Sequence, residues 1–177
     1  MSDNISSEVA SELQGLLKKG YAELSRGNLL AAADCCRKVL DAKPDLEQGH
    51  FLTALVALDS KDRKTAFSAF QSVVKLNRNH GAAWAHLAKL YMSEGQVRKA
   101  DEALRETLRI RPDDPLVLDL VGITLSLMGD HGVAQAFYRD ANTKRPNYPP
   151  FMQNLANNLV YHGETGAADD IFNEIIR

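Results

Sequence analysis

A repeat of 34 residues constrains the fold of this chain more than any other feature, as the spacing between Pro112 and Pro146 first indicates. When the sequence is written in registers of that length beginning at Leu13, position 20 is always alanine: Ala32, Ala66, Ala100, Ala134 and Ala168. Position 8 is always small, and its members are Gly20, Ala54, Ala88, Gly122 and Ala156. Small side chains at fixed positions let two antiparallel helices approach closely, so each register predicts one helical hairpin.

Turn and helix-end signals recur in the same phase. Position 15 is glycine in four registers, which suits a turn with positive φ after a first helix, and only Lys61 departs. Position 32 is proline at Pro44, Pro112 and Pro146, where it ends a second helix. The predicted helix pairs are 13–25 with 29–42, 47–59 with 63–76, 81–93 with 97–110, 115–127 with 131–144, and 149–161 with 165–177. Residues 1–12 are polar and either extend the first helix or are disordered.

One register carries a signature that can be compared with a known family. Trp84-x-x-Leu87-Ala88-x-x-Tyr91, followed by Gly95, Ala100, Leu104 and Pro112, closely resembles the tetratricopeptide repeat. The resemblance covers residues 13–177 as five repeats: 13–46, 47–80, 81–114, 115–148 and 149–177. It implies an all-α fold, a right-handed superhelical solenoid of five antiparallel helix pairs. In such a solenoid the first helix of every pair lines a concave groove.

The resemblance also implies which residues face that groove, because positions 2, 5, 6, 9, 12 and 13 of each register line it in the family. The predicted partner-binding residues are Leu17, Tyr21, Leu24, Phe51, Leu55, Leu58, His86, Lys89, Asp119, Ile123, Asn154 and Asn157. The groove is thus apolar toward the N-terminus and rich in amides toward the C-terminus. Such a surface suits an amphipathic helix or an extended peptide of a partner protein. Alternatively, some of these residues pack within the repeats, or the N-terminal segment covers them.

Two known uses of the family groove are not matched by this sequence. Members that grip the acidic tails of chaperones use Lys, Arg and Asn, and the corresponding places here hold Leu17, Tyr21, Leu52, Ala82 and His86. Members joined to sugar-transferring enzymes carry a ladder of Asn at position 6, of which only Asn154 is present. We therefore expect neither use.

Catalysis, cofactors and metals find no support in the sequence. It has no Gly-x-Ser-x-Gly, no phosphate-binding loop and no His-Glu-x-x-His, and its histidines lack metal-ligand spacing. Asp113 and Asp114 directly precede a predicted helix. Helix capping and the favourable interaction of carboxylates with the helix dipole explain their position without a catalytic role. Cys35 and Cys36 would point about 100° apart on a helix, which suits packing better than pairing. A net charge of −2 argues against nucleic acid, and no apolar run reaches the length of a membrane span. We predict a protein that is not an enzyme and has no cofactor.

The two ends of the chain raise separate expectations. The first residues lack the basic start and apolar core of a signal peptide, which predicts a cytoplasmic protein. The last predicted helix carries a possible interface edge, formed by Ile171, Phe172, Ile175 and Ile176, with no polar capping helix after it. Either a further segment covers this edge or a second copy forms a homodimer there.

The leading functional prediction is a protein-interaction scaffold. The alternative is an N-terminal targeting or dimerisation module of a larger glycosyltransferase or sulfotransferase.

Overall fold

The chain folds into ten α-helices, and no strand occurs within residues 2–176, which the computed structural model describes. Side chains are described for residues 9–176. The helices are α1 (Ser2–Ser25), α2 (Leu29–Ala42), α3 (Glu47–Asp59), α4 (Arg63–Leu76), α5 (Gly81–Ser93), α6 (Val97–Arg109), α7 (Pro115–Leu127), α8 (His131–Lys144), α9 (Pro149–Tyr161) and α10 (Thr165–Ile176). The predicted all-α class is confirmed.

The helix bounds agree closely with those predicted from the register. From α2 to α9 the only difference is that α6 ends at Arg109, one residue earlier than expected. Helix α1 begins at Ser2, so the polar N-terminal residues that follow extend the first helix. The end of α10 cannot be compared at Arg177, which lies outside the described residues.

The helices group into two compact units, which are residues 1–83 and residues 84–177, with the boundary inside α5. In the first unit α1 packs on α2 and α3 packs on α4, while α7 packs on α8 and α9 packs on α10 in the second. Within each unit the first helices also touch, α1 with α3 and α7 with α9. Short turns join the paired helices, so each pair is an antiparallel hairpin.

Small residues stand where the paired helices come closest. All five alanines at position 20 are fully buried, at 0% exposure: Ala32, Ala66, Ala100, Ala134 and Ala168. At position 8 a methyl group on Gly20 would lie 3.2 Å from Cβ of Cys35 on the paired helix α2, and one on Gly122 would lie 2.7 Å from Cε1 of Tyr138 on the paired helix α8. The close approach predicted from these residues is therefore present in both units.

The first helix of every pair ends in the same backbone turn. In the third register Gln96 N–H donates to Tyr91 O at 2.9 Å and Gly95 N–H donates to Met92 O at 3.0 Å, which is the Schellman pattern. The second register keeps this pattern although Lys61 replaces glycine, and Lys61 has a φ of +60°. Asp62 then caps α4 by accepting a hydrogen bond from the backbone N–H of Thr65 at 3.1 Å.

The two cysteines belong to the core of the first unit. Cys35 and Cys36 are free and buried, and Cys36 packs in a cluster with Ala32, Leu52 and Val56. Burial is the main cause that raises the pKa of the Cys36 thiol, so this thiol is a packing group and not a reactive thiolate. The predicted packing role of the cysteines is confirmed.

Candidate functional site

A pocket of about 350 Å³ opens in the second unit, between α7, α8 and α9. We call it the α7–α9 pocket, and its lining residues are Ile123, Ser126, Leu127, His131, Tyr138, Asn154, Asn157, Asn158 and Tyr161. Three of these residues come from α7 and four from α9. Most of the α7 and α9 residues occupy positions 6, 9, 12 or 13, where the register predicted a groove-facing side chain. The first helices α7 and α9 thus bring the predicted residues Ile123, Asn154 and Asn157 together in one pocket.

A carboxylate lies buried beside this pocket. Asp119 is one helical turn before Ile123 on α7, and it is only 7% exposed. Both of its carboxylate oxygens accept a hydrogen bond from Nδ2 of Asn154, each at 3.0 Å. Burial raises the pKa of Asp119 to about 6, although the Asn154 hydrogen bond and the charge of Lys89 both act to lower it. At neutral pH the group is largely ionised in a poorly solvated place.

Aromatic rings form one wall of the pocket. The rings of His131 and Tyr161 stack with their centroids 3.7 Å apart and their planes 30° apart. Tyr161 is 67% exposed, so the ring presents an apolar surface to solvent. Behind this wall the hydroxyl of Tyr138 lies 3.2 Å from Oγ of Ser126. The wall therefore combines the buried ring of Tyr138 with the exposed ring of Tyr161.

An amide next to this wall has an unused acceptor. Nδ2 of Asn158 donates to the backbone oxygen of His131 at 3.0 Å, which fixes the orientation of the amide. The other end of that amide, Oδ1 of Asn158, is buried and has no hydrogen-bond partner among the described residues. Buried polar atoms are nearly always paired in native proteins, so an unpaired one at a pocket is a notable feature.

The residues predicted for the groove in the first unit lie in a different environment. Leu17 and Leu24 are partly buried and pack against the Cys36 cluster. The ring of Phe51 lies edge-on to Phe70, with centroids 5.9 Å apart, and 4.5 Å from the ring of His80. Tyr21 is half-exposed. In this unit Leu17, Leu24 and Phe51 thus contact other side chains of the repeats while staying partly exposed, and their role in partner binding stays a prediction.

The remaining predicted residues have mixed exposure. Leu55, Leu58 and His86 are partly buried, whereas Lys89 and Asn157 are exposed. At the C-terminal edge Ile171, Phe172 and Ile175 are partly buried, and Ile176 is 83% exposed. The homodimer expected at this edge stays a prediction.

The partner-binding residues predicted from the sequence include Ile123, Asn154 and Asn157 but omit the other six residues of the pocket. Of these six, Ser126, Leu127 and Tyr161 occupy groove positions of the register, whereas the other three do not. His131 and Tyr138 come from α8, the second helix of its pair, and Asn158 is at position 10 of its register. The run Asn154, Asn157 and Asn158 is the one signal that could have drawn attention to this place. In the first unit, a separate cavity of about 190 Å³ includes Cys36 and Val56 and lies away from the predicted groove positions.

Metal binding and membrane insertion each require a particular arrangement of residues. Between residues 2 and 176 no group of three or more His, Cys, Asp or Glu side chains is placed to hold a metal ion. In the same part of the chain, no helix combines the length and the apolar character that crossing a bilayer requires.

Similar proteins bear on the identity of this fold. Residues 57–122 match a family model described as tetratricopeptide repeat. Human tetratricopeptide repeat protein 7A is 25% identical over 127 residues, which is 72% of this chain and 15% of that protein. The chain thus spans about 15% of the length of this curated relative.

Solved structures share the fold at low sequence identity. A chain of the APC/C hetero-tetramer Cut9–Hcn1 has a TM-score of 0.83 and 17% identity, over 99% of this chain and 35% of that chain. TTC0263, a thermophilic TPR protein of Thermus thermophilus, has a TM-score of 0.80 and 17% identity, over 93% and 90% of the two chains. At these identities the likeness concerns the fold alone.

The helix hairpins and these matches define an all-α helical-repeat solenoid. These similarities support a tetratricopeptide repeat protein, as the signature around Trp84 predicted. In general, a protein of this kind serves as a scaffold for protein interactions.

Proposed function

We propose that this chain is a non-catalytic scaffold that binds a segment of a partner protein against the inner faces of the first helices of its repeats. The observation that carries the proposal is the α7–α9 pocket, because predicted groove positions from two neighbouring first helices line it together. We keep the division into five repeats (13–46, 47–80, 81–114, 115–148 and 149–177) and a cytoplasmic location as parts of this proposal.

The similar proteins support partner binding more than a role within an enzyme. One of them is a chain of a hetero-tetramer, Cut9–Hcn1, in which a tetratricopeptide-like fold is assembled with another protein. None of the similar proteins described above is named as a glycosyltransferase or a sulfotransferase. The alternative of a targeting module for such an enzyme is therefore not favoured.

Site-directed photo-crosslinking in cells that express the protein tests the proposal. A photoreactive amino acid would replace Asn157 in the α7–α9 pocket, Leu55 on α3, or Arg105 on α6 as a control outside the groove. Arg105 is a suitable control because its side chain is exposed and pairs only locally, with Asp101 at 2.9 Å. We expect a crosslinked partner protein at position 157 that is absent at position 105. Equal crosslinking at both positions would contradict binding at the inner face.

Substitutions then test the first helices of each unit separately. Ile123→Arg with Asn157→Arg alters the α7–α9 pocket, and Phe51→Asp with Leu55→Asp alters the first unit. We expect the first pair to abolish recovery of the partner. The second pair is informative only if circular dichroism shows native helix content, because Phe51 packs on Phe70. Full recovery by both folded double variants would exclude the inner face as the binding surface.

A further inference from the structure

We propose that the α7–α9 pocket receives a basic side chain of the partner, and that the guanidinium group of an arginine is the guest that it fits. This inference rests on the proposed function, because it assumes that a segment of a partner lies against the inner face. It adds the chemistry of the anchoring residue. Charge, hydrogen-bonding capacity and ring geometry each support it independently.

The charge around the pocket favours a cationic guest. None of the nine lining residues is Lys or Arg, while the buried carboxylate of Asp119 contacts the lining residue Asn154. Residues 84–177 carry 10 Lys and Arg against 13 Asp and Glu, so the unit that holds the pocket is acidic. Lys89 is near enough to lower the pKa of Asp119, yet that pKa stays well above its ordinary value because burial dominates. A cation entering from the partner would stabilise the ionised carboxylate, whereas an acidic group would be repelled.

The side-chain amides of Asn154 and Asn158 leave their oxygens to accept hydrogen bonds, which favours a guest that donates them. Asn154 uses its Nδ2 on Asp119, so its remaining group for a guest is the carbonyl oxygen. Asn158 uses its Nδ2 on the backbone of His131, and its Oδ1 lacks a partner among the described residues. Asn154 and Asn158 are one helical turn apart on α9. Guanidinium carries five N–H donors in a fixed plane and no acceptor, so it complements two amides whose oxygens are the groups left to accept a hydrogen bond.

The aromatic wall distinguishes arginine from lysine. Tyr161 exposes its ring and is supported from behind by the His131 ring at 3.7 Å. A planar guanidinium stacks on an aromatic face, while a compact ammonium is more strongly hydrated and loses more on entering such a place. We therefore expect arginine to bind more tightly than lysine.

Short peptides with neutral ends test the chemistry directly. The full chain, labelled with ¹⁵N, is titrated with acetyl-Gly-Ser-Xaa-Ser-Gly-amide, in which Xaa is arginine, lysine, citrulline or phenylalanine. Citrulline is the matched control, because it keeps the shape of arginine without its charge. We expect the arginine peptide to shift the side-chain amide signals of Asn154 and Asn158 and to bind at least tenfold more tightly than the citrulline peptide. The lysine peptide should fall between them.

Two variants with the same change of charge locate the effect. Asp119→Asn should weaken the arginine peptide at least fivefold, while Asp113→Asn should leave its affinity unchanged. Asp113 is an exposed acid of the same unit that pairs with Lys144, so it controls for the general electrostatic field. Tyr161→Leu should reduce the preference for arginine over lysine.

The possible outcomes separate this inference from the proposed function. If the phenylalanine or citrulline peptide shifts the same signals with equal affinity, the groove is kept and the cation preference is overturned. An equal loss in both aspartate variants would overturn the inference as well, because the attraction would then be non-specific. If no peptide shifts any pocket signal, the inference fails outright, and crosslinking at position 157 then decides the proposed function separately.

Discussion

The first and second units use the same positions of the repeat for different purposes. In the first unit the inner positions hold apolar side chains such as Leu17, Leu24 and Phe51, which pack onto the core. In the second unit the same two positions of the register, 5 and 12, hold the buried carboxylate of Asp119 and the side chain of Ser126, which lines the α7–α9 pocket. Register position therefore sets the direction of a side chain, while residue type decides whether it stabilises the repeat or is left for a ligand.

The difference has an energetic consequence. An apolar side chain on the inner face gains free energy when it folds back onto its own repeat. A buried aspartate loses hydration, and Asp119 recovers only part of it through Asn154. A protein that keeps such a group in a pocket accepts lower stability there, and this is a frequent property of functional sites.

The largest expected effect concerns Asp119. Its pKa is raised from 3.8 to about 6 on folding, so the folded state holds the proton more tightly than the unfolded state. The contribution of Asp119 to stability should therefore rise as the pH falls from above 6 to below 4, and ionisation of this group costs up to about 3 kcal/mol at pH 8. Asp119→Asn removes this cost, so the variant should be the more stable protein at pH 8 and nearly equal to wild type at pH 4. Urea unfolding followed by Trp84 fluorescence measures the difference, because Trp84 is the single tryptophan and lies in the second unit.

Asp113→Asn is the control for that measurement. Asp113 is exposed and pairs with Lys144 at the surface, so its substitution should change the free energy of unfolding by less than about 1 kcal/mol at either pH. A loss of stability in Asp119→Asn at pH 8 would mean that the ionised carboxylate stabilises the second unit. The inner-face residues of both units would then stabilise the fold, and the proposed cost of keeping Asp119 in the second unit would be wrong.

The next effect compares the position-8 glycines of the two units. A methyl group on Gly122 would lie 2.7 and 2.8 Å from ring atoms of Tyr138, and that ring is buried and held by Ser126. A methyl group on Gly20 would lie 2.5 Å from Cδ2 of Leu52, the far end of a flexible side chain on α3, and 3.2 Å from Cβ of Cys35 on α2. Both substitutions to alanine gain about 1 kcal/mol of helix propensity, and overpacking costs about 1–3 kcal/mol. We expect Gly122→Ala to be destabilised by about 1–2 kcal/mol and Gly20→Ala to lose less.

Urea unfolding followed by far-ultraviolet circular dichroism checks both glycine variants under identical conditions. Equal losses would show that the crossings tolerate an added methyl group similarly, whatever side chain faces the glycine. A greater loss in Gly20→Ala would reverse the comparison and would indicate that Leu52, which is fully buried, cannot change its rotamer.

Much of the fold could be predicted from the sequence because the repeat fixes it locally. The position-20 alanines, such as Ala66 and Ala134, are buried as expected, because the two helices of every register approach each other closely at this position. The pocket was less predictable, because it depends on how neighbouring repeats meet. His131 enters it from a second helix, and Asn158 lies outside the groove positions. Periodicity also could not show that Phe51 turns toward Phe70.

The smallest effect concerns the turn of the second register. Lys61 has a φ of +60°, whereas the corresponding turn of the second unit has Gly129 with a φ of +91°. A residue with a Cβ is strained in this region, so Lys61→Gly should stabilise the chain by up to about 1 kcal/mol, and Gly129→Lys should destabilise it by a similar amount.

Lys61→Ala separates the backbone effect from the loss of the lysine side chain, because alanine retains the strain. It should therefore show no gain in the urea midpoint. If alanine stabilised the chain as much as glycine, the lysine side chain itself would be unfavourable there. The first unit would then differ from the second in its surface and not in the strain of its turn, because both turns already make the same Schellman hydrogen bonds.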